Sequence, residues 1–186
     1  MKTRHIIFII GLASALFNEL RAQPPDPVEI ATESNSKKTI SGIVENNDAE
    51  FLVNAADSRM MALREGKLAA KKGTSSAVRE YGKLMVEDQN TLLNSLRSLA
   101  LKKKVTLPTN LSDAKQKNRE QLARLKKGKA FDDKFINAMI VEHEQDVTMF
   151  RKALGSNDED VKAFAREYLP MIESHLARIK LISGRQ

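Results

Sequence analysis

The segment FDDKFINAMIVEHEQDVTMF, residues 131–150, sets Phe135, Met139, His143, Val147 and Phe150 three or four residues apart. That period brings all five to one face of an α-helix. Most of the remaining positions are charged or amide, so the segment reads as an amphipathic helix with one buried stripe. It is expected to begin at Asp132, with Phe131 as a staple residue, and to end near Leu154 and Gly155.

The same period recurs on both sides. After Ser75 or Ser76 as N-cap, the stripe is Val78, Tyr81, Met85, Gln89, Leu92, Leu96 and Leu99, running to about Lys103. Val105 to Pro108 breaks it, because proline cannot sit inside a helix without losing a hydrogen bond. From about Asp158 to Ile182 the stripe is Val161, Phe164, Tyr168, Ile172, His175, Ile179 and Ile182. Asn157 suits the cap, and Asp158, Glu159 and Asp160 suit the positive end of the helix dipole. Pro170 inside this segment predicts a bend. An earlier helix is expected from about Asp48 to Lys71, ended by Gly73. Asp113 to Lys127 is short, charged and sparsely apolar, with Ser112 as cap and Gly128 as stop, and reads as a peripheral helix. No useful strand alternation appears. The fold class is therefore all-α: an antiparallel four-helix bundle with one extra short helix, over residues 47–186.

Of 186 residues, the first 22 read as a secretory signal peptide. Lys2 and Arg4 form a basic start, Ile6 to Phe17 an apolar run, and Ala22 a cleavage point before Gln23. The run is shorter than the roughly 20 apolar residues of a membrane span. The alternative is an uncleaved N-terminal anchor. Residues 23–46 hold Pro24, Pro25 and Pro27, then mostly polar residues, and are expected to be a disordered leader. The chain has no cysteine, which excludes disulfides, thiolate metal sites and a lipid anchor on Cys.

Formal charge is +7. The segment to Ala22 carries Lys2, Arg4 and Arg21 against Glu19, a net +2, which leaves +5 beyond it. The excess gathers at Lys102, Lys103 and Lys104 and between Lys115 and Lys129, including Lys126 and Lys127. Such a surface suits anionic lipid or polysaccharide; the plainer reading is a solvated helix face. No aromatic interleaves with Lys115 to Lys127, so nucleic acid is not expected. Nucleophilic chemistry has no support either, since there is no Cys, no serine elbow and no Gly-rich phosphate loop. The balance favours a protein that is not an enzyme.

Polar residues on buried stripes carry the remaining information. His143 and His175 each follow a methionine by four residues, Met139 and Met171; Gln89 follows Met85 in the same way. Tyr81-x3-Met85-x3-Gln89 and Phe135-x3-Met139-x3-His143 share a spacing, a weak internal echo. One reading is a buried polar network in which His143, His175, Gln89 and the Tyr81 or Tyr168 hydroxyl satisfy one another. The other is a metal site. Copper is favoured by imidazole and thioether together, from Met139, His143, Met171 and His175; zinc would need carboxylates as well. Glu65, Glu142 and Glu173 are the nearest choices, but Glu142 and Glu173 are one and two residues from a histidine and point off the stripe. Ile140 and Ile172 stand where a di-iron bundle would need Glu, which argues against that centre.

Four segments, FLVNAADSRMMALREGKLAAKK, VREYGKLMVEDQ, FDDKFINAMIVEHEQDVTMF and AFAREYLPMIESHL, resemble in that order an exported bacterial family of unknown function. Its members are often labelled outer membrane proteins, and the resemblance implies a ferritin-like helical bundle over about Phe51 to Ile182. The family pattern has Glu where this chain has Ala62 and His where it has Gln89, while His143 and His175 match. The resemblance thus implies that a family metal site, where one exists, is weakened here. With no lipidation cysteine and no barrel strands, the expectation is a periplasmic protein of the cell envelope with a stress or binding role.

Overall fold

The computed structural model describes residues 24–184. The expected signal peptide lies outside the described residues. Among the described residues all regular structure is helical: α1 (Pro27–Ile40), α2 (Asn46–Lys72), α3 (Ser76–Lys102), α4 (Asp113–Arg124), α5 (Lys129–Ala153) and α6 (Glu159–Ser183).

The four long helices pack neighbour to neighbour, in the order α2, α3, α6, α5 and back to α2. Each adjacent pair is antiparallel. Arg59 meets Gln89 while Gly66 meets Gly82 across α2 and α3. Ser95 meets Tyr168 while Lys102 meets Asp160 across α3 and α6. Glu144 pairs with Lys180 and Arg151 with Glu173 across α5 and α6. Phe51 contacts Phe150 and Arg59 pairs with Asp146 across α2 and α5. The echoing segments thus lie on α3 and α5, the diagonal and parallel pair.

α4 is the return crossover. It runs along α2 towards the start of α5, tied at one end by Ser112, whose N–H and hydroxyl each donate to Asp57 at 2.9 Å. At the other end Lys72 Nζ donates to the Leu125 carbonyl at 2.9 Å. Leu122 is its buried residue, as its thin apolar stripe predicts. Two expected boundaries move. α4 stops at Arg124 rather than Lys127, and α5 starts at Lys129 rather than Asp132. For α5 the reason is Asp132, whose carboxylate reaches across to the N–H groups of Thr74 (2.9 Å) and Ser75 (2.9 Å), leaving Gly128 to cap the helix. The last cap also moves by one residue: Asp158, not Asn157, accepts from the Asp160 and Val161 N–H groups.

The disordered leader expected over 23–46 is corrected: it carries α1. Asp26 caps the helix by accepting from Val28 N–H at 2.7 Å, with Pro27 in the first turn. Gly42, at φ +67°, closes the far end in the left-handed conformation that glycine takes without strain. Ala31 and Asn35 are buried. The Asn35 amide donates to the Thr106 carbonyl and accepts from the Thr106 N–H, both at 2.8 Å. One alanine and one amide make too small a buried face for hydrophobic period to reveal.

The apolar core is divided. One cluster is built around Phe51, Leu52, Leu92, Leu96, Phe150, Phe164 and Ile172. The other is built around Tyr81, Met85, Leu122, Phe131, Phe135, Met139 and Ile179. Between them lies a layer of buried polar side chains.

Candidate functional site

The layer takes one or two residues from each long helix: Arg59 from α2, Gln89 from α3, His143 and Asp146 from α5, and His175 from α6. Arg59, Gln89 and His143 have no exposed surface, and Asp146 and His175 have 1% and 2%. Arg59 and Asp146 form a buried ion pair. The Arg59 Nη1 also donates to Gln89 Oε1 at 3.1 Å. Burial pulls the guanidinium down to about 10 against the opposing field of Glu142, which leaves it charged at neutral pH.

Sequence spacing had placed the two imidazoles on separate inner stripes, and the fold brings them together with ring centroids 5.7 Å apart and planes at 73°. Tyr81 packs edge-on against both, at 6.5 and 6.4 Å, and its hydroxyl donates to the His175 carbonyl at 3.3 Å. His143 Nδ1 lies 2.8 Å from the Met139 carbonyl oxygen. His175 Nε2 lies 2.7 Å from an Asp88 carboxylate oxygen. Both partners are pure acceptors, so each nitrogen there must carry the proton. The outcome is two neutral rings of fixed tautomer, with bare lone pairs on His143 Nε2 and His175 Nδ1. Those two nitrogens have no protein partner, and neither do the donors Gln89 Nε2 and Arg59 Nε.

The electrostatics agree with neutral rings. Burial, then the Arg59 charge, pushes His143 down to about 3 despite its bond to Met139. Burial also holds His175 below the usual histidine range, outweighing the Asp88 contact. Glu65 lies on α2 outside this layer. Burial, helped by Glu142, raises its carboxyl to about 8, and its Oε2 has no partner.

The other predicted residues take different parts. Met139 serves through its backbone oxygen. Met171 is half-buried against the Phe51 cluster. The Tyr168 hydroxyl bonds Ser95 at 2.7 Å rather than a histidine. Gln89 bonds Arg59. Glu142 is taken by Lys115 at 2.8 Å and Glu173 by Arg151 at 2.6 Å. Lys102 pairs with Asp160, and Lys103 with Asp158 and Asp160, all at 2.6 Å. Lys126 and Lys127 are exposed near the opposite end of α3, whose 27 residues span about 40 Å.

Three partners in the layer escaped sequence reading: Arg59, Asp146 and Asp88. Arg59 follows Leu52, Ala55 and Ala56 at helical spacing and precedes Ala62 and Gly66. Asp146 stands three residues after His143 and four before Phe150. Arg59 and Asp146 were each marked by a place on an apolar stripe.

Among solved structures, the chain is similar to the crystal structure of a DUF305 fragment from Deinococcus radiodurans, with a TM-score of 0.66 at 15% identity. The match covers 75% of this chain and 97% of that one, and it speaks to the fold alone. No curated protein sequence matches the chain. A family model described as a domain of unknown function, DUF4142, matches residues 32–182, from within α1 to near the end of α6. The chain belongs to the DUF4142 family.

Proposed function

We propose that this protein is an exported, ferritin-like four-helix bundle of the cell envelope, acting by binding rather than catalysis, with the polar layer as an internal brace. The observation that supports this is the sealing of the layer. Arg59, Gln89 and His143 have no exposed surface, so no substrate larger than water or an ion meets them. The fixed rings with low proton affinity also make poor acid–base catalysts near neutral pH, where an effective group titrates close to the working pH. The lysines add no support for a polyanion surface, because Lys102 and Lys103 are engaged by aspartates far from Lys126 and Lys127. The test is expression of the full chain in a bacterium with a periplasm. The expected product is a shortened chain beginning at Gln23 and released by osmotic shock; an uncleaved chain held in the membrane fraction contradicts export.

A second reading, copper binding, is favoured by the two bare imidazole nitrogens on facing rings. Neutral imidazole is a copper and zinc ligand. Zinc needs four donors, and among the described residues no three His, Asp or Glu side chains gather as such a site requires. Cu(I), which accepts two donors in line, fits the pair better. Here the expectation is one Cu(I) per chain, lost in both His143→Ala and His175→Ala. Equal affinity in the variants, or no stoichiometric uptake, removes the reading.

A further inference from the structure

α1 has two unlike faces. Ala31 and Asn35 are buried, and Val28 packs against the Phe51 cluster. Ile30, Glu33, Lys37 and Ile40 are exposed. At about 100° per residue, these four lie within about 80° of one another and opposite the buried trio. Ile30 is 51% exposed and Ile40 87%, and Ile43, in the turn after the helix, is 51% exposed. These are three of the six large apolar side chains left open among the described residues, gathered on one 14-residue helix and its turn. A helix of that length is marginal in water by itself.

The outer face reads Ile30, Glu33, Lys37, Ile40, an order symmetric about residue 35. The outer pair is apolar, and the inner pair carries opposite charges. A two-fold axis across the middle of the helix would lay a second α1 antiparallel on the first. Ile30 of each copy would then meet Ile40 of the other, and Glu33 would meet Lys37. A closed two-fold contact demands that exchange, residue i on j and j on i. The flanking charges follow the same rule, with Glu29 before the axis and Lys38 after it. Antiparallel helix dipoles add to the attraction.

We propose that the outer face of α1 is a dimerisation surface, pairing antiparallel with α1 of a second copy of this chain. Glu29 and Glu33 favour a copy of the helix over an anionic lipid surface, which would repel them. Two 14-residue helices side by side make a small contact, below about 1,200 Å² in total, so the dimer is reversible and depends on concentration. This surface is separate from the polar layer and from its copper reading.

The experiment is sedimentation velocity of the full chain from micromolar to near-millimolar concentration. A reversible monomer–dimer equilibrium is expected. Ile40→Ser should weaken it by about tenfold or more, because each dimer buries that side chain twice. Leu101→Ser, at an exposed residue of α3, should leave it unchanged. Glu33→Lys alone and Lys37→Glu alone should each weaken self-association about tenfold, since like charges then face each other twice. Mixing those two variants should restore dimers, because each lysine of one chain then meets a glutamate of the other. Neither variant can form a Glu33–Lys37 pair within its own helix, so the restoration reports contact between chains. Circular dichroism should show every variant folded. A monomer at every concentration overturns the proposal, whether or not it binds phosphatidylglycerol vesicles. So does a dimer that Ile40→Ser and both charge variants leave unchanged, or a mixture that associates no better than its components.

Discussion

Arg59 decides how the centre of this protein works. A guanidinium with no exposed surface puts a permanent positive charge among the helices, and Asp146 and the Gln89 carbonyl oxygen answer it. Its field also presses against protonation of His143 and His175. A buried ion pair adds little net stability over a well-packed apolar pair, but breaking one is expensive because the remaining charge has no partner. Arg59→Met should therefore destabilise the fold by about 3–5 kcal/mol, and Arg59→Met with Asp146→Leu should recover much of that loss. Urea melts of the wild type, both single variants and the double measure the coupling; a double variant as unstable as the sum of the singles would show that the pair does not act as a unit. The histidines were legible in the sequence because histidine on an apolar stripe is unusual. Arg59 occupied an equally apolar stripe, but a long side chain there is also consistent with a head that reaches water. Only the packing of α3 and α5 over it settles that it does not.

At the scale of the helices, the α2–α3 contact rests on two glycines. A Cβ on Gly82 would lie 2.5 Å from Ala70 N and 2.7 Å from the Gly66 carbonyl oxygen, and one on Gly66 would lie 2.9 Å from Met85 Cβ. The obstructing atoms at Gly82 are mainly backbone, so the helices themselves would have to separate. Glycine costs about 1 kcal/mol in a helix interior relative to alanine, yet Gly82→Ala should destabilise by about 1–3 kcal/mol through overpacking. A thermal melt decides the sign, and a stabilised variant would contradict the close approach. α1 is held differently, by polar contacts rather than apolar area. Asn35→Ala breaks both bonds to Thr106 and should speed amide exchange in α1 while leaving α2 and α3 protected; uniform protection would contradict a locally held helix. These contrasts explain what periodicity could and could not show. The four long helices announced themselves because each buries eight or more residues. α1 buries two residues. The start of α5 depended on Asp132 choosing the Thr74 and Ser75 N–H groups, a tertiary contact that no local pattern encodes.

For the molecule as a whole, opposed titrations shape stability against pH. His143 takes up its proton at about 6.5 when unfolded and about 3 when folded, so its contribution is complete above pH 6.5 and is lost as pH falls from there towards 3. His175 acts in the same direction. Glu65 has the reverse sign: its folded value of about 8 exceeds the unfolded 4.5, so its contribution is present below pH 4.5 and is lost as pH rises to 8. Each fully shifted group changes stability by about 1.4 kcal/mol per pH unit within its window. Between pH 4.5 and 6.5 Glu65 offsets His143; above 6.5 it acts against the fold unopposed by either histidine. Chemical denaturation between pH 6.5 and 8 should show stability declining in the wild type and level in Glu65→Gln; matching slopes would rule out a buried neutral Glu65. The central claim is narrower: two neutral imidazoles, held in opposite tautomers, face each other inside the bundle. Nitrogen-15 NMR of the histidine side chains tests it most directly. The account predicts His143 protonated on Nδ1 and His175 on Nε2 at pH 7, with the His143 ring still neutral at pH 5.5. A ring that titrates near pH 6.5, or a proton found on His143 Nε2 or His175 Nδ1, would contradict it.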